Sequence, residues 1–482
     1  MKKFFYIYLI IMCFGFSCTG DGGLDNLSYD DDDDDSPELS EINTAIYEKM
    51  SQVYFWRDSL ESISNTNTNA STQSYFDDEI RYRVNTSVDY SDDTYGDRFS
   101  YIDEDTDGDG SAKLYTRSST AISGDPIADW GFEFVIWLDY TGSDVLFLQV
   151  LYVIPDSPAS TAGLKRGDYI SAIDGSSLTL TNIYSLLSDN EVTLTLVNKY
   201  SVEQGTLTLT YAEFDDTPLI YSGIIEGSSP TTGYFFYTEF TDETTHLLAL
   251  KEMFAEFRAG GVENVIVDLR YNPGGYISTA QLISSALTPN QSDLGTTVMF
   301  QTQSNASLSS LTGYTYYSSD QIGGITNHVA PTKLAFIMTG YSASASELTY
   351  NSLRTLYADS DCIFVGETTV GKNLGSNSYT VNDWTLHPIT ARIYNKDGIS
   401  GYEEGFDPDT EVVDIDPYNV DIEEIGNTNE RMLSATLAQL GVTISGIRAS
   451  YEPSIKTKAQ ALYELKPVFS TRVEYPAVIL DK

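Results

Sequence analysis

The chain has 482 residues, enough for two to four domains and a sizeable buried core. Seventy Asp and Glu against 27 Lys and Arg give a formal net charge of −43, which repels phosphate backbones and anionic lipid surfaces and excludes nucleic-acid binding. Apolar residues make up 41% and there are 35 Tyr, too much core material for a disordered chain, so the acidity belongs to the surface of a folded protein. Three Cys (Cys13, Cys18, Cys362) cannot build a disulfide framework or a Cys-rich zinc site, and the three His (His246, His328, His387) fall in no metal-binding pattern. No metal and no cofactor is therefore expected.

Lys2 and Lys3 precede an apolar run, Phe4 to Phe16, that is too short to span a bilayer and has the layout of a signal peptide over residues 1–17. The run ends in Gly15-Phe16-Ser17-Cys18. This resembles a bacterial lipoprotein cleavage site and implies an exported, cell-envelope protein, periplasmic or surface-exposed, lipidated at Cys18. Residues 18–36 include six consecutive aspartates, Asp30 to Asp35, and read as a solvated acidic tether.

Ser36-Pro37 is a helix start, and Ile42, Ile46, Met50 and Val53 fall on one helical face. A second short helix is expected around Tyr75 to Tyr82. Together these predict a small, mainly helical domain over residues 37–125. The acidic run Asp103 to Gly110 imitates the first half of a calcium loop, but its twelfth position is Leu114, where a carboxylate is required. An acidic turn is the plainer reading; a calcium-dependent adhesion protein would rest on that run alone.

From 127 to 212 the pattern is short strands and Gly turns. Pro158-Ala159-Ser160-Thr161-Ala162-Gly163-Leu164 and Gly167-Asp168-Tyr169-Ile170 resemble the PDZ family. Gly131, Phe132, Glu133 and Phe134 stand where that family places its carboxylate-binding loop. Successive backbone N–H groups there make an anion nest, and the following strand is expected to be an open edge that a peptide can join.

The second half alternates strands and helices, which argues an α/β core over 213–440. Tyr234 to Phe240 and Asn264 to Leu269 read as strands, and Leu247, Leu250, Phe254 and Phe257 mark one face of a helix over 244–259. Cys362 sits in an apolar run and is expected to be buried and inert. Residues 441–482 read as an appended tail with no chemical motif.

Three segments carry the chemistry: Asp268-Leu269-Arg270-Tyr271-Asn272-Pro273-Gly274-Gly275, Gly340-Tyr341-Ser342-Ala343-Ser344-Ala345-Ser346-Glu347 and Val365-Gly366-Glu367-Thr368-Thr369-Val370-Gly371-Lys372. In this order, after a PDZ-like segment and before Gly405-Phe406-Asp407-Pro408-Asp409, they resemble the carboxyl-terminal processing peptidases of the S41 serine peptidase family. Trp56 and Asp97-Arg98-Phe99-Ser100 are similar to its exported lipoprotein members from Bacteroides-like bacteria. The resemblance covers roughly residues 40–420. It implies a multidomain α+β protein: a small helical N-terminal domain, a β-rich PDZ domain, and an α/β peptidase core of the ClpP/crotonase-like kind.

A Ser hydroxyl needs a base within hydrogen-bond reach, and a Lys serves where burial lowers its pKa toward neutrality. By the resemblance, Ser344 is the nucleophile and Lys372 the base. Ser344 falls at a strand-to-helix turn, so the N–H of Ala345 and one from Gly274 or Gly275 are the expected oxyanion donors. The family often carries Gln four residues after the Lys; here that position is Ser376, with shorter reach as an orienter. His246 is the alternative base. Asp268 and Arg270 are expected to anchor the turn. The resulting expectation is a serine endopeptidase that takes apolar C-terminal or unfolded segments of proteins through its PDZ domain. The alternative is an inactive S41-like adaptor that only binds peptides.

Overall fold

The computed structural model describes residues 38–81, 96–104, 130–139, 146–179, 190–198, 202–415 and 422–445, together with the backbone of the strands Leu465–Ser470 and Val478–Ile479. Cys18 and most of the calcium-loop-like run lie outside them; Asp103 and Glu104 end a strand, Tyr101–Glu104.

The centre is a six-stranded sheet in the order Thr410–Glu411, Cys362–Gly366, Lys333–Met338, Asn264–Asp268, Thr232–Tyr237, Leu219–Ile224. Every pair is parallel except the last. Such a sheet is buried on both faces, and its strands alternate between two cores rather than between core and water. Phe235, Val265, Val267, Leu334, Phe336 and Phe364 pack with the helices Thr244–Ala259, Ile277–Ala286 and Ala345–Leu353. Tyr234, Phe236, Ile266, Ala335, Ile337 and Val365 face the helix Arg431–Leu440 and the aromatic side of the PDZ-like sheet, where Tyr152 packs on Phe236 and Tyr271.

That PDZ-like sheet contains the strands Phe132–Asp139, Leu146–Val153, Tyr169–Ile173, Glu191–Val197 and Glu203–Thr210. The short helix Pro158–Ala162 is capped by the Ser157 hydroxyl, and Gly163 closes it in the left-handed conformation. The edge expected to be open is covered. Leu465–Ser470, from the segment read as a featureless tail, pairs antiparallel with Phe132–Asp139. The same segment adds two further strands. Thr443–Ile444 pairs with Ser228–Ser229, and Val478–Ile479 enters a second six-stranded sheet. Strand pairing depends on partners distant in sequence, which is why the tail's own sequence concealed it.

The leading segment differs from expectation in the same sense. Its helix, Leu39–Val53, buries Ile46, Met50 and Val53 as predicted. The second helix is only Thr72–Tyr75, followed by a wide turn over Phe76–Ile80. These apolar faces share one core with Leu374, Leu386 and Ile389, and Tyr101–Glu104 pairs with Trp384–His387. The segment packs against the α/β core through this cluster.

Candidate active site

The three chemical segments are far apart in sequence and adjacent in space for a topological reason. Each is the turn leaving the carboxyl end of a strand, and the strands Asn264–Asp268, Lys333–Met338 and Cys362–Gly366 are neighbours in the parallel sheet. Turns at the carboxyl ends of such strands are where α/β sheets build sites.

The three serines of the middle segment have different fates. Ser342 Oγ donates to the Leu269 carbonyl at 2.7 Å and Ser346 Oγ to the Asn272 carbonyl at 2.9 Å, stitching the elbow to the Gly-Gly turn. Ser344 Oγ is buried without a hydrogen-bond partner. Ser344 also holds φ +65° and ψ −113°, a backbone conformation costly for a residue with a Cβ. A strained elbow between strand and helix thrusts its side chain out of the turn, the arrangement of nucleophile elbows. The Ala345 N–H opens the following helix and so has no intrahelical acceptor.

Lys372 is 1% exposed. Burial pushes its ammonium down to about 7, against the charges of Asp97 and Glu347, which favour the protonated form. Its Nζ lies 5.3 Å from the centre of the Phe99 ring. Asp97 is fixed by the Tyr54 hydroxyl at 2.5 Å and by the N–H groups of Phe99 and Ser100. The Asp97-Arg98-Phe99-Ser100 segment therefore forms one wall of the lysine's pocket, and Arg98 Nη2 reaches the Gly371 carbonyl at 3.2 Å.

Glu347 is the site residue that the sequence reasoning passed over. It is fully buried, and its carboxylate accepts from Ser344 N–H, Lys372 N–H, Gly371 N–H and the Thr369 hydroxyl, at 2.8, 2.8, 2.7 and 2.5 Å. Burial pushes its carboxyl above the usual glutamate range, opposed by these four donors. The signal was present: Ser-x-x-Glu at a helix start is the capping-box pattern.

Gly274 and Gly275 divide the remaining work. Gly274 N–H donates to Asn272 Oδ1 at 2.9 Å, and Gly275 pairs with Val478 in a parallel ladder. Phe240 bonds the Gly274 carbonyl and the Tyr276 N–H. Polar groups of successive strand residues alternate in direction, so those of Gly275 point to the opposite side. Gly275 has φ +132°, and a Cβ there would meet the Phe240 carbonyl oxygen at 2.1 Å, so only glycine fits. Ser376 is buried in the strand Leu374–Ser376, in register with Ile389.

Gly131 has φ +74° and its carbonyl accepts from Ile154 N–H at 2.8 Å. Phe132, Glu133 and Phe134 start the strand after it, paired with Tyr152 and its neighbours. His246, the alternative base, is held instead by Asp215 at 3.3 Å, with Glu243 at 3.7 Å. Cys362 is buried, its thiol pushed up to about 12. Asp268 and Arg270 are a structural pair: Arg270 donates to Asp268, Asp414 and Glu430 with no exposure to solvent. Among the described residues no cluster of His, Cys, Asp and Glu could hold a metal ion, and no helix is long and apolar enough to cross a membrane.

An unpartnered serine at φ +65° and a buried lysine thus stand in neighbouring turns at the carboxyl edge of an α/β sheet. Residues 231–412 match the model of peptidase family S41, residues 149–198 that of a PDZ domain, and residues 41–101 that of the peptidase S41 N-terminal domain. Over these residues the chain is similar to S41 peptidases. It is 26% identical over 297 residues to a chloroplastic C-terminal processing peptidase of Tetradesmus obliquus, covering 58% of this chain and 59% of that protein. It is 30% identical over 152 residues to a carboxy-terminal-processing protease of Bartonella bacilliformis, covering 29% and 33%. The matches thus span about a third to three fifths of these relatives. The crystal structure of a putative S41 protease from Bacteroides fragilis shares the fold, with a TM-score of 0.68 and 24% identity over 82% of this chain and 96% of that one.

Proposed function

We propose that the chain is an endopeptidase that cuts unfolded or apolar C-terminal segments of other proteins with a Ser344–Lys372 dyad. The observation that carries this is the junction at Glu347, where the nucleophile's turn and the base's turn share one carboxylate while Ser344 Oγ is left without a partner. Neutral Lys372 takes the Ser344 proton as Oγ attacks a peptide carbonyl. The N–H groups of Ala345 and Gly275 receive the oxyanion. Lys372 then protonates the leaving amine, and water deprotonated by Lys372 releases the acyl group.

The PDZ segment, with Gly131 to Phe134 at the head of the strand Phe132–Asp139, supplies recognition of an extended chain. We further read residues 1–17 as an export signal and Cys18 as the lipid-carrying residue of a cell-envelope protein. The domain limits 37–125, 127–212 and 213–440 are read with an α/β core of the ClpP/crotonase-like kind.

The test incubates the soluble chain from residue 19 with an unfolded protein bearing an apolar C-terminus and reads fragments by mass spectrometry. Cleavage should vanish in both Ser344→Ala and Lys372→Ala. Cleavage that survives Lys372→Ala would remove the dyad, and a binder that never cleaves would leave the adaptor.

A further inference from the structure

The second six-stranded sheet has the order Gly275–Tyr276, Val478–Ile479, Leu374–Ser376, Ile389–Asn395, Val298–Ser304, Gly313–Tyr316. Its second strand comes from the chain's last segment. Val478 pairs with Gly275 and Ile479 with Tyr276, both parallel, and Ile479 also pairs with Ser376. The inserted strand thus lies between the turn that offers the Gly275 N–H and the strand that begins two residues after Lys372. Upstream, the same segment covers the PDZ edge, with Leu465 opposite Asp139 and Ser470 opposite Val135, so it runs toward Gly131. Pro467 lies within it, which suits a strand that closes a sheet edge. Eight residue steps separate Ser470 from Val478 and can bridge at most about 28 Å.

Resting on the peptidase reading above, we infer that these two edges form one backbone-reading track for an extended polypeptide, and that the strands Leu465–Ser470 and Val478–Ile479 occupy it in cis as a tethered pseudosubstrate. Three further observations agree. Ser344, Lys372 and Ser376 are at most 3% exposed in this form. The Gly275 N–H and carbonyl, which Phe240 leaves unused, point to the side on which Val478 lies. The charge balance of the segment is opposite to that of the body. Residues 446–482 carry six Lys and Arg against four Asp and Glu, while the first 445 carry 21 against 66. A weakly basic segment on a strongly acidic body is held by complementary charge as well as by strand pairing. Tethering makes the binding intramolecular, so a competitor must exceed the tether's effective concentration, millimolar for short flexible links.

The test uses a disulfide across the outer ladder. Asp139 and Leu465 are directly opposed at its end. Cα atoms of such antiparallel pairs lie about 4.5–5.5 Å apart, within disulfide range. In the full chain carrying Asp139→Cys and Leu465→Cys, intact-mass analysis should show the new bond form without added partner; failure to form it overturns the inference. Binding of a fluorescent peptide with the sequence of residues 465–482 is then followed by anisotropy. The oxidised form should bind at least tenfold more weakly than the reduced form, and equal binding overturns the inference. Ile479→Pro, which removes a backbone donor from the inner ladder and touches no group of the dyad, should bind the peptide several-fold more tightly than the parent chain. Unchanged affinity there also overturns it. Cleavage of an unfolded protein is recorded on the same samples. If no form cleaves while the binding contrasts hold, the peptidase reading fails and the occupied track stands.

Discussion

One oxygen of Glu347 accepts hydrogen bonds from the backbone N–H of Ser344 and of Lys372, each at 2.8 Å. The two nitrogens can therefore be no further apart than the sum of those distances. A single buried carboxylate fixes the register between the nucleophile's helix and the base's turn. Its second oxygen, held by Gly371 N–H and the Thr369 hydroxyl, extends the clamp to Phe406, whose N–H donates to that hydroxyl at 2.8 Å.

Glu347→Gln keeps the shape and removes the charge. An amide offers one oxygen for donors that now share two, and it brings its own N–H₂ against them. Leaving buried donors unsatisfied costs about 1–3 kcal/mol each, so the variant should unfold at clearly lower denaturant. Glu347 also favours protonated Lys372, so its neutralisation should move the rising limb of the activity–pH profile to lower pH. A limb that stays in place while stability falls would reduce Glu347 to a structural role.

Lys372 itself sets a second expectation. Its ammonium is pushed down from 10.5 to about 7, and a general base must be neutral, so kcat/KM should rise with pH about a midpoint near 7. Between about 7 and 10.5 the folded chain binds fewer protons at this site than the unfolded chain, so its contribution to stability grows as pH rises through that window. Below it, burying the ammonium is a full cost. Lys372→Met should therefore be inactive and, at pH 6, more stable by roughly 2–4 kcal/mol. A loss of stability in Lys372→Met at pH 6 would show that the ammonium is better compensated than its burial suggests.

How much of this was legible in the sequence depends on how local each feature is. Ser344, Lys372 and the Gly-Gly turn lie in short contiguous motifs, and the strand–helix alternation of 232–366 is written in the order of its apolar runs. The helix over residues 244–259 ends at the glycine that marks it. Glu347 was passed over because its role appears only when two turns meet, although its spacing from Ser344 named it as a cap partner. The division of labour between Gly274 and Gly275 follows from a hydrogen bond to Asn272 that no motif encodes. The strands at 465–470 and 478–479 answer to partners more than 100 residues away, and strand propensity alone does not choose among such partners.

Ser344 stores backbone strain that glycine would release. At φ +65° and ψ −113° a Cβ costs of order 1–3 kcal/mol. The hydroxyl has no hydrogen bond to lose. Ser344→Gly should therefore be inactive yet raise the denaturation midpoint by the equivalent of about 1 kcal/mol. Ser344→Ala, which keeps the Cβ, should be equally inactive with little gain. Equal stability of the Gly and Ala variants would mean that the elbow carries no strain.

The PDZ-like segment is tied to the core by Arg166, which follows its short helix. Arg166 Nη2 donates to Asp414 at 2.7 Å and Nη1 to the Tyr271 hydroxyl at 2.8 Å. Asp414 in turn accepts from Arg270 at 2.8 Å, the arginine two residues before Asn272 and the Gly-Gly turn. Arg166 and Arg270 hold the Asp414 and Glu430 carboxyls below their usual ranges, so both acids stay charged in a dry interior. Removing one cation from such a cluster leaves charge uncompensated, at about 3–5 kcal/mol. Arg166→Leu should lose stability of that order. Arg166→Leu with Asp414→Leu should lose less than the sum of the single variants, because the charge that Arg166 balanced has gone with it. Partners this close couple by about 0.5–3 kcal/mol. Strictly additive losses in urea unfolding would show that Arg166 contributes by packing alone, and that the PDZ segment is not electrostatically latched to the turn that carries Gly275.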